Sequence, residues 1–460
     1  MQRSVFVILV LILLITICFI SSSTGQTTKS TFVSLAVGVP GLFSEPITPG
    51  AKAQIGVVVL HMRADNLSNE PWVPCPELAR RGYRALCANT STLKSGFIAD
   101  DDEDKMLLNI KLAVAYMRNY PGVKKVVLWG HSGGGALMAA YQNIAENGVS
   151  VCQGSEKILK CPDSLAGMPA ADGVMLIDST FGEAGMAMFH LDPSITNEAI
   201  GRSIDPALDM YNPKNGFDSK GSKYSAEFRT RYFANARDRM NRLVSKAQDR
   251  LAKINAGEGN FTDDEPFVIP GYSTPGSKLF TSDLSMWAHT RNAWPLLHPD
   301  GTVTNGIVYS VRVPRGTESP SISYSKGSMT TSVHRFLNTL AIRPTEGFGY
   351  DASNIYGIDW KSGYENTVVS VEGVTKPLLQ LGMTGSYEYF AAETIREHAK
   401  SVDKTLAYVE GATHGFTPCK ECAVAKGLPE NYYGDTLKTL FNYVDGWLSK
   451  PGRFLEGALD

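Results

Sequence analysis

A serine framed by glycines is the residue of this chain best placed for covalent chemistry. Ser132 lies in the run Gly130-His-Ser-Gly-Gly134, between the apolar run Val123 to Trp129 and a helical pattern from Ala136 to about Glu146. A short apolar run of this kind is typical of a strand buried on both faces of a parallel sheet. A sharp turn from strand to helix lifts the hydroxyl above the sheet and leaves no room for nearby side chains. The spacing therefore predicts a nucleophilic serine beside a helix N-terminus, whose N–H groups can face an oxyanion.

A serine hydroxyl needs a neighbouring base to attack at neutral pH, and histidine is the usual one. The chain has eight histidines. Only His398 and His414 follow the last predicted crossover of the sheet, and His398 lies inside a helical pattern. His414 stands in the glycine-flanked loop Gly411 to Gly415, directly after the apolar run Thr405 to Val409. From this loop its ring can swing over the carboxyl edge of the sheet, so we predict His414 as the general base.

The elements around these residues alternate in type. Between Ile55 and Gly185 short apolar runs alternate with helical patterns, and the same rhythm resumes at Pro377 and continues to a C-terminal helix that ends near Leu448. From Phe181 to Thr375 the rhythm stops, apart from one long amphipathic helix over Phe228 to Ile254. The pattern predicts an α/β fold with a mostly parallel, doubly wound sheet and a large inserted cap.

The acidic run Asp100 to Asp104 looks at first like a metal site. Carboxylates are also favoured in the first turn of a helix by the positive end of its dipole. We interpret the run as the start of a helix that extends to about Asn119, and we predict no metal site from it.

The N-terminus has the order of a secretory signal peptide. Arg3 precedes an unbroken apolar run from Val5 to Ile20, and the small polar stretch Ser21 to Gly25 follows. A membrane anchor is the alternative, but the run is shorter than the ~20 residues that cross a bilayer, so no stable membrane span is expected after cleavage. The predicted division of the chain is a signal peptide at 1–25, a first core part at 26–180, a cap at 181–375 and a second core part at 376–460.

Cysteine usage agrees with export. Of seven cysteines, Cys18 is removed with the signal peptide and six remain. An even number in an exported chain suggests disulfides, and these six fall into three couples that are local in sequence. The simplest pairing is Cys75 with Cys87, Cys152 with Cys161, and Cys419 with Cys422. The close couple Cys419 and Cys422 could instead be redox-active or form half of a zinc site, and zinc is the less favoured of these because no second close pair or nearby histidine cluster completes a tetrahedral site.

The net charge and the glycosylation sequons indicate which partners and modifications to expect. The formal net charge of −2 provides no field that would attract nucleic acid. Asn66, Asn89 and Asn260 each begin a glycosylation sequon, which predicts a glycoprotein if the host pathway glycosylates. The sequence leaves the oligomeric state open.

The turn at Ser132 and the late His414 loop together resemble the α/β-hydrolase family. The resemblance covers about residues 55–185 and 372–450, in the chain order nucleophile, acid, histidine. It implies that the backbone N–H of Gly133 is one oxyanion donor and that of Met62, in the loop after the third strand, is the second. The family usually has His-Gly at this loop, so Met62 is a departure, and its bulk is expected to narrow the acyl side of the pocket.

The resemblance leaves the acid of the site open. In this family the acid most often follows the strand that begins here at Pro377, yet no carboxylate appears in that region before Glu388 and Glu393. A minority arrangement places the acid at the end of the preceding strand, where Asp178 stands. We take Asp178 as the first candidate, with Glu388 and then Glu393 as alternatives; Asp178 as a helix cap or turn former is the competing interpretation.

The predicted activity is that of a secreted serine hydrolase, which cleaves a carboxylic ester or related acyl bond of a small molecule through an acyl-enzyme. The resemblance implies neither a metal nor an organic cofactor. An acyltransferase or a peptidase on the same scaffold is the alternative among enzymes, because the same triad serves each. A catalytically silent secreted binding module is the alternative from another class. The substrate depends on the insertion 181–375, which sequence pattern alone does not fold.

Overall fold

The computed structural model describes most of the chain. The described residues are 27–62, 65–67, 74–91, 94–95, 98–99, 102–199, 203–272, 279–315 and 327–456. The predicted signal peptide lies outside them. In these ranges no helix has the length and apolarity needed to cross a membrane.

Strands and helices are numbered in chain order. The strands are β1 Thr28–Ala36, β2 Val39–Pro46, β3 Ile55–His61, β4 Arg84–Ala88, β5 Lys94–Ser95, β6 Ile98–Ala99, β7 Lys125–His131, β8 Gly173–Ile177, β9 Pro266–Pro270, β10 His289–Leu297, β11 Val303–Tyr309, β12 Ser328–Ser332, β13 Arg343–Tyr350, β14 Ile355–Asp359, β15 Leu378–Met383 and β16 Lys404–Val409. The helices are α1 Pro74–Arg80, α2 Glu103–Asn119, α3 Gly133–Asn147, α4 Glu183–His190, α5 Ala226–Asn255, α6 Leu279–Ser282, α7 Val333–Arg335, α8 Thr367–Ser370, α9 Tyr389–His398, α10 Lys420–Ala425 and α11 Thr436–Leu448. A π-helical turn, Phe336–Leu340, follows α7.

A ten-stranded sheet forms the centre of the molecule, in the order β1-β2-β4-β3-β7-β8-β15-β16-β10-β11. All neighbours from β4 to β10 are parallel, and the strands at the two edges are antiparallel. The predicted α/β fold with a mostly parallel sheet is therefore confirmed. Parallel strands are covered by helices on both faces, which explains their continuous apolar runs.

The two faces of the sheet carry separate apolar layers. Successive side chains of a strand point to opposite faces. Val58 and Leu60 of β3 accordingly pack in the layer with α2 and α3, whereas Val57 and Val59 pack in the layer with α1 and α11. All four side chains are buried, so the carboxyl ends of the central strands are held rigidly.

The segment 181–375 is less separate from the sheet than the sequence pattern predicts. Within it, β10 and β11 form a hairpin that joins the edge of the main sheet next to β16. Most residues of this hairpin are partly or fully exposed, so the apolar pattern used to find buried strands is weak there. Residues 289–309 of the predicted cap thus contribute two strands to the main sheet. The domain boundaries themselves stay a prediction.

The rest of the segment is built from short strands and one long helix. Strands β9 and β12 form a small sheet with β5 and β6, which come from the first core part. Strands β13 and β14 pair separately, and β13 packs along α5. Helix α5 spans 30 residues and is capped at its N-terminus by Ser225, whose side chain accepts a hydrogen bond from the backbone N–H of Phe228.

Three disulfides are formed between cysteines that are near in sequence. The structure joins Cys75 to Cys87, Cys152 to Cys161 and Cys419 to Cys422. We expect peptide mapping of the exported chain without reductant to recover these three linked pairs, and thiol reagents to modify no cysteine before reduction. A reduced and alkylated sample is the control. Two or more unpaired cysteines would contradict both this pairing and the prediction of export.

Candidate active site

The predicted nucleophile lies at the junction of β7 and α3. Ser132 follows the last residue of β7 and precedes the first residue of α3, and its φ of 58° is positive. Positive φ is uncommon for residues other than glycine, and it is concentrated at functional sites. The backbone N–H of Ser132 donates to the carbonyl of Ile177 at 3.2 Å, so β8 holds the turn. This is the strained strand-to-helix turn that the sequence predicts.

The glycines around this turn are required by space. A Cβ added to Gly130 would lie 2.4 Å from the carbonyl oxygen of Gly134. A Cβ added to Gly134 would lie 2.3 Å from the carbonyl oxygen of Leu60 in β3. Both distances are shorter than any van der Waals contact, and both involve backbone that cannot move aside. The spacing of the glycines therefore follows from the close approach of α3 to β3 and β7.

His414 and Asp178 meet at the carboxyl edge of the sheet. The Nδ1 atom of His414 lies 2.7 Å from Oδ2 of Asp178. Asp178 follows the end of β8, is 1 % exposed and has a φ of 44°. Its other oxygen accepts a hydrogen bond from the backbone N–H of Met383 at 3.1 Å. Strands β8 and β15 are neighbours. An acid at the end of β8 can therefore reach His414 as well as an acid after β15, the more usual position in α/β-hydrolases, would.

The other two predicted acids differ in where they lie. Oε2 of Glu388 is 3.6 Å from Nδ1 of His414 and accepts a hydrogen bond from the Ser386 hydroxyl at 2.9 Å. The carboxylate of Glu393 instead accepts hydrogen bonds from residues of β10, and no described contact joins it to His414. Its donors are the backbone N–H groups of Arg291 and Asn292 and the side chains of Asn292 and Trp294. The structure thus brings Asp178 and Glu388 to His414, whereas Glu393 braces α9 against β10.

A residue that the motif analysis passed over, His131, supports the histidine loop. Its Nε2 donates a hydrogen bond to the backbone carbonyl of His414 at 2.9 Å, and its ring packs against Phe416. Burial lowers the pKa of His131 well below its usual value, and the neighbouring His414 and His61 lower it further. His131 is therefore a neutral donor. Its place at the end of a central strand was the sequence signal that could have indicated this role.

The side chain of Met62 packs against Gly133, the residue of the other predicted oxyanion donor. A Cβ on Gly133 would lie 3.0 Å from the sulfur and 3.2 Å from the Cβ of Met62. The Met62 side chain is 1 % exposed, so it packs directly on the start of α3. The narrowing of the acyl side by Met62 and the assignment of the two donors stay predictions.

A cavity of about 700 Å³ opens beside His414. Its volume is in the range of small-molecule sites. Arg312 lines it, and one guanidinium nitrogen donates to the backbone carbonyls of Met286 and Trp287. The described lining residues come from the histidine loop, the end of β15 and the segments around 281, 312 and 420: Thr281, Arg312, Val313, Arg315, Gly385, Ser386, Tyr387, Thr413, His414, Gly415, Thr417, Pro418, Lys420, Glu421 and Cys422.

The predicted nucleophile and base are not yet hydrogen bonded. The Ser132 hydroxyl forms no hydrogen bond to any residue that the structure describes, and Ser132 is not among the described lining residues of the cavity. Catalytic hydrogen bonds are often long before substrate binds and shorten in the complex. The site therefore combines an oriented histidine, a buried acid and a strained serine at one edge of the sheet.

Comparisons with known proteins give matches in structure alone. No family model matches the chain, and no curated protein matches it. Among solved structures, Est1E from Butyrivibrio proteoclasticus is 12% identical, with a TM-score of 0.37, over 91% of this chain and 97% of that one. The siderophore hydrolase EstB from Aspergillus fumigatus is 11% identical, with a TM-score of 0.41, over 93% of this chain and 100% of that one. Brefeldin A esterase, described as a bacterial homologue of human hormone-sensitive lipase, is 12% identical, with a TM-score of 0.40, over 93% of this chain and 77% of that one.

The strand order and the turn at Ser132 define the fold on their own. A parallel sheet in which a strained strand-to-helix turn at a serine follows the central strand β7, with a histidine loop after β16, is the α/β-hydrolase arrangement. The fold of this chain is therefore of the α/β-hydrolase type.

Proposed function

We propose that this protein is a secreted serine hydrolase that cleaves carboxylic esters or closely related acyl bonds. The observation that carries the proposal is the 2.7 Å contact between His414 Nδ1 and Asp178 Oδ2, at the sheet edge where the strained Ser132 turn lies. A buried carboxylate that holds one ring nitrogen fixes the tautomer and leaves the other nitrogen to act as a base.

The mechanism follows from these three side chains. Nε2 of His414 takes the proton of the Ser132 hydroxyl as the oxygen attacks the acyl carbonyl. Asp178 stabilises the imidazolium that forms, and the backbone N–H groups of Gly133 and Met62 hold the oxyanion. His414 then returns the proton to the leaving alcohol, which leaves an acyl group on Ser132. A water molecule, deprotonated by the same ring, releases the acid.

The cavity beside His414 is the proposed site for one part of the substrate. Apolar surface predominates in its lining, which suits an aliphatic or aromatic group. Met62, packed on Gly133, is proposed to restrict the size of the acyl group on the oxyanion side. We therefore expect short acyl chains to be preferred over long ones.

Export is part of the proposal. The three disulfides of the structure suit an oxidising compartment. The predicted signal peptide and the sequons at Asn89 and Asn260 point the same way, whereas the side-chain amide of Asn66 is buried and donates to the carbonyl of Ala88. Secretion is tested by the N-terminal sequence of the protein recovered from its native host.

The test of the proposed activity is a panel of acyl esters that differ in chain length and in aromatic content, with matched amides alongside. We expect hydrolysis of at least one ester class with saturable kinetics, and faster turnover of short acyl chains. Cleavage of amides with no ester cleavage would favour a peptidase. Transfer of the acyl group to an added alcohol in preference to water would favour an acyltransferase. No reaction on any acyl compound would favour a binding module.

A further inference from the structure

Three histidines meet at the carboxyl edge of the sheet, and the proposed mechanism uses only one of them, His414, as a base. They are His61 at the end of β3, His131 at the end of β7 and His414 in the loop after β16. One ligand nitrogen from each ring lies within 4.8 Å of the others. The ring centroids are 4.7 Å apart for His61 and His131, 4.6 Å for His131 and His414, and 6.1 Å for His61 and His414.

These separations suit a shared metal ion. Zinc binds imidazole nitrogen at about 2.0–2.1 Å in tetrahedral geometry, which puts ring centroids roughly 5 Å from one another. The observed separations lie on either side of that value. The 6.1 Å separation between the His61 and His414 rings must shorten for a shared centre, and both residues are half-buried.

The hydrogen bonds around the cluster already select the ligand atoms. Nδ1 of His414 faces the Asp178 carboxylate at 2.7 Å, so Nε2 is its ligand atom. A carbonyl can only accept, so Nε2 of His131 carries the proton that it donates to the His414 carbonyl, and Nδ1 is its ligand atom. Metal-binding histidines commonly donate their second N–H to a carboxylate or a backbone carbonyl in this way.

His61 is also held in place. The Asn66 side chain accepts from the backbone N–H of His61 at 3.1 Å and donates to its carbonyl at 3.3 Å. The same amide donates to the carbonyl of Ala88 at 2.8 Å. The backbone that carries the first ring is therefore fixed between β3 and β4, which lowers the entropy lost when a metal binds.

We infer that His61, His131 and His414 form an inhibitory site for a divalent metal ion that prefers nitrogen ligands, with Zn²⁺ as the probe. Binding takes the Nε2 lone pair of His414 that accepts the Ser132 proton, so the metal and the acyl-transfer step exclude each other. The binding site itself depends only on the three rings. Its inhibitory effect rests on the proposed hydrolase function.

A second set of ligands shares His414. Asp178 and Glu388 also offer atoms that lie within 4.8 Å of each other and of His414. This set has two carboxylates and one imidazole, so it suits harder ions better than it suits zinc. It would also break the 2.7 Å contact between His414 and Asp178. The three-histidine site keeps that contact as its support, and we therefore favour it.

Calorimetric titration of chelator-treated protein with Zn²⁺ tests the site without reference to activity. We expect one site in the wild type and in Ser132→Ala, with the same affinity in both. We expect His61→Gln to weaken binding by at least about tenfold, because one of three protein ligands is lost. His398→Gln is the matched control, since His398 lies at the end of α9 with Glu372 as its partner, and it should bind zinc like the wild type.

Inhibition and ligand type give independent readouts. Ester hydrolysis by the wild type should fall over the zinc range that saturates the calorimetric site, and a chelator should restore it. X-ray absorption of the zinc-loaded wild type should show at least three imidazole ligands, a measurement that requires no variant to fold. No zinc binding, a carboxylate-dominated spectrum, or unchanged affinity in folded His61→Gln would each overturn the site. A protein with no ester activity that still binds zinc at these rings would refute the proposed function and leave the metal site standing.

Discussion

Ser132→Ala is expected to lose all labelling by a fluorophosphonate probe and to lose ester hydrolysis by about 10⁴-fold or more. The probe forms its bond with an activated serine oxygen, which the variant lacks. The fold should be unaffected, because the Ser132 hydroxyl makes no hydrogen bond with a described residue and alanine differs only by the loss of that hydroxyl. The readouts are gel fluorescence after labelling, turnover of the best ester of the panel, and the melting temperature.

Ser150→Ala is the matched control for this experiment. Ser150 lies just beyond the opposite end of α3 and is exposed, so the same substitution removes a hydroxyl at a distance from the turn at Ser132. It should label and turn over like the wild type. Labelling that persists in Ser132→Ala would place the nucleophile elsewhere in the chain and refute the proposed function.

The turn at Ser132 was predictable because every part of it is local in sequence. The turn consists of a buried strand, the glycines and the start of a helix. These parts follow one another directly in the chain, and each has its own sequence pattern. The glycines that the pattern requires are the ones whose added Cβ atoms would meet backbone of α3 and β3. Local sequence thus contained the steric reason for the turn.

The acid could not be selected from sequence, because the choice depends on which strands are neighbours. Asp178 and the region after β15 are distant in sequence, yet β8 and β15 pair in register, with Ile177 opposite Leu381. That pairing carries Asp178 to the backbone N–H of Met383 and to the ring of His414. No local pattern reports such a contact, so three candidates remained open.

The burial of the Glu103 carboxyl could not be predicted from the sequence either. The acidic run predicts the first turn of a helix, and α2 does begin there, with Asp102 accepting from the backbone N–H of Lys105. Glu103, however, is fully buried beside Glu365, which comes from the segment 181–375. Burial raises the pKa of Glu103 well above its usual value, and the carboxyl of Glu365 raises it further. Only the tertiary packing of distant segments produces this pair.

Asp178→Asn is expected to reduce acylation of Ser132 by ~10⁴-fold in a protein that melts like the wild type. Asparagine keeps the oxygen that accepts from the Met383 N–H, which the wild type holds at 3.1 Å. It places an amide NH₂ where Oδ2 now faces His414 at 2.7 Å. A donor at this position favours the tautomer that is protonated on Nε2, and that tautomer cannot accept the serine proton.

Glu388→Gln and Glu393→Gln are the matched comparisons, because each replaces one carboxylate with its amide. Glu388 lies 3.6 Å from Nδ1 of His414, beyond the 2.7–3.2 Å of a normal hydrogen bond, so we expect a loss of roughly tenfold or less in rate. Glu393 anchors Arg291, Asn292 and Trp294, so its variant should melt at a lower temperature and keep its rate, since a lost hydrogen bond to a charged group costs about 1.5–3 kcal/mol. Single-turnover acylation and thermal melts on the three variants separate these effects. If Glu388→Gln is the inactive enzyme and Asp178→Asn retains its rate, then the acid lies after β15 as in most of the family, and Asp178 serves to join β8 to β15.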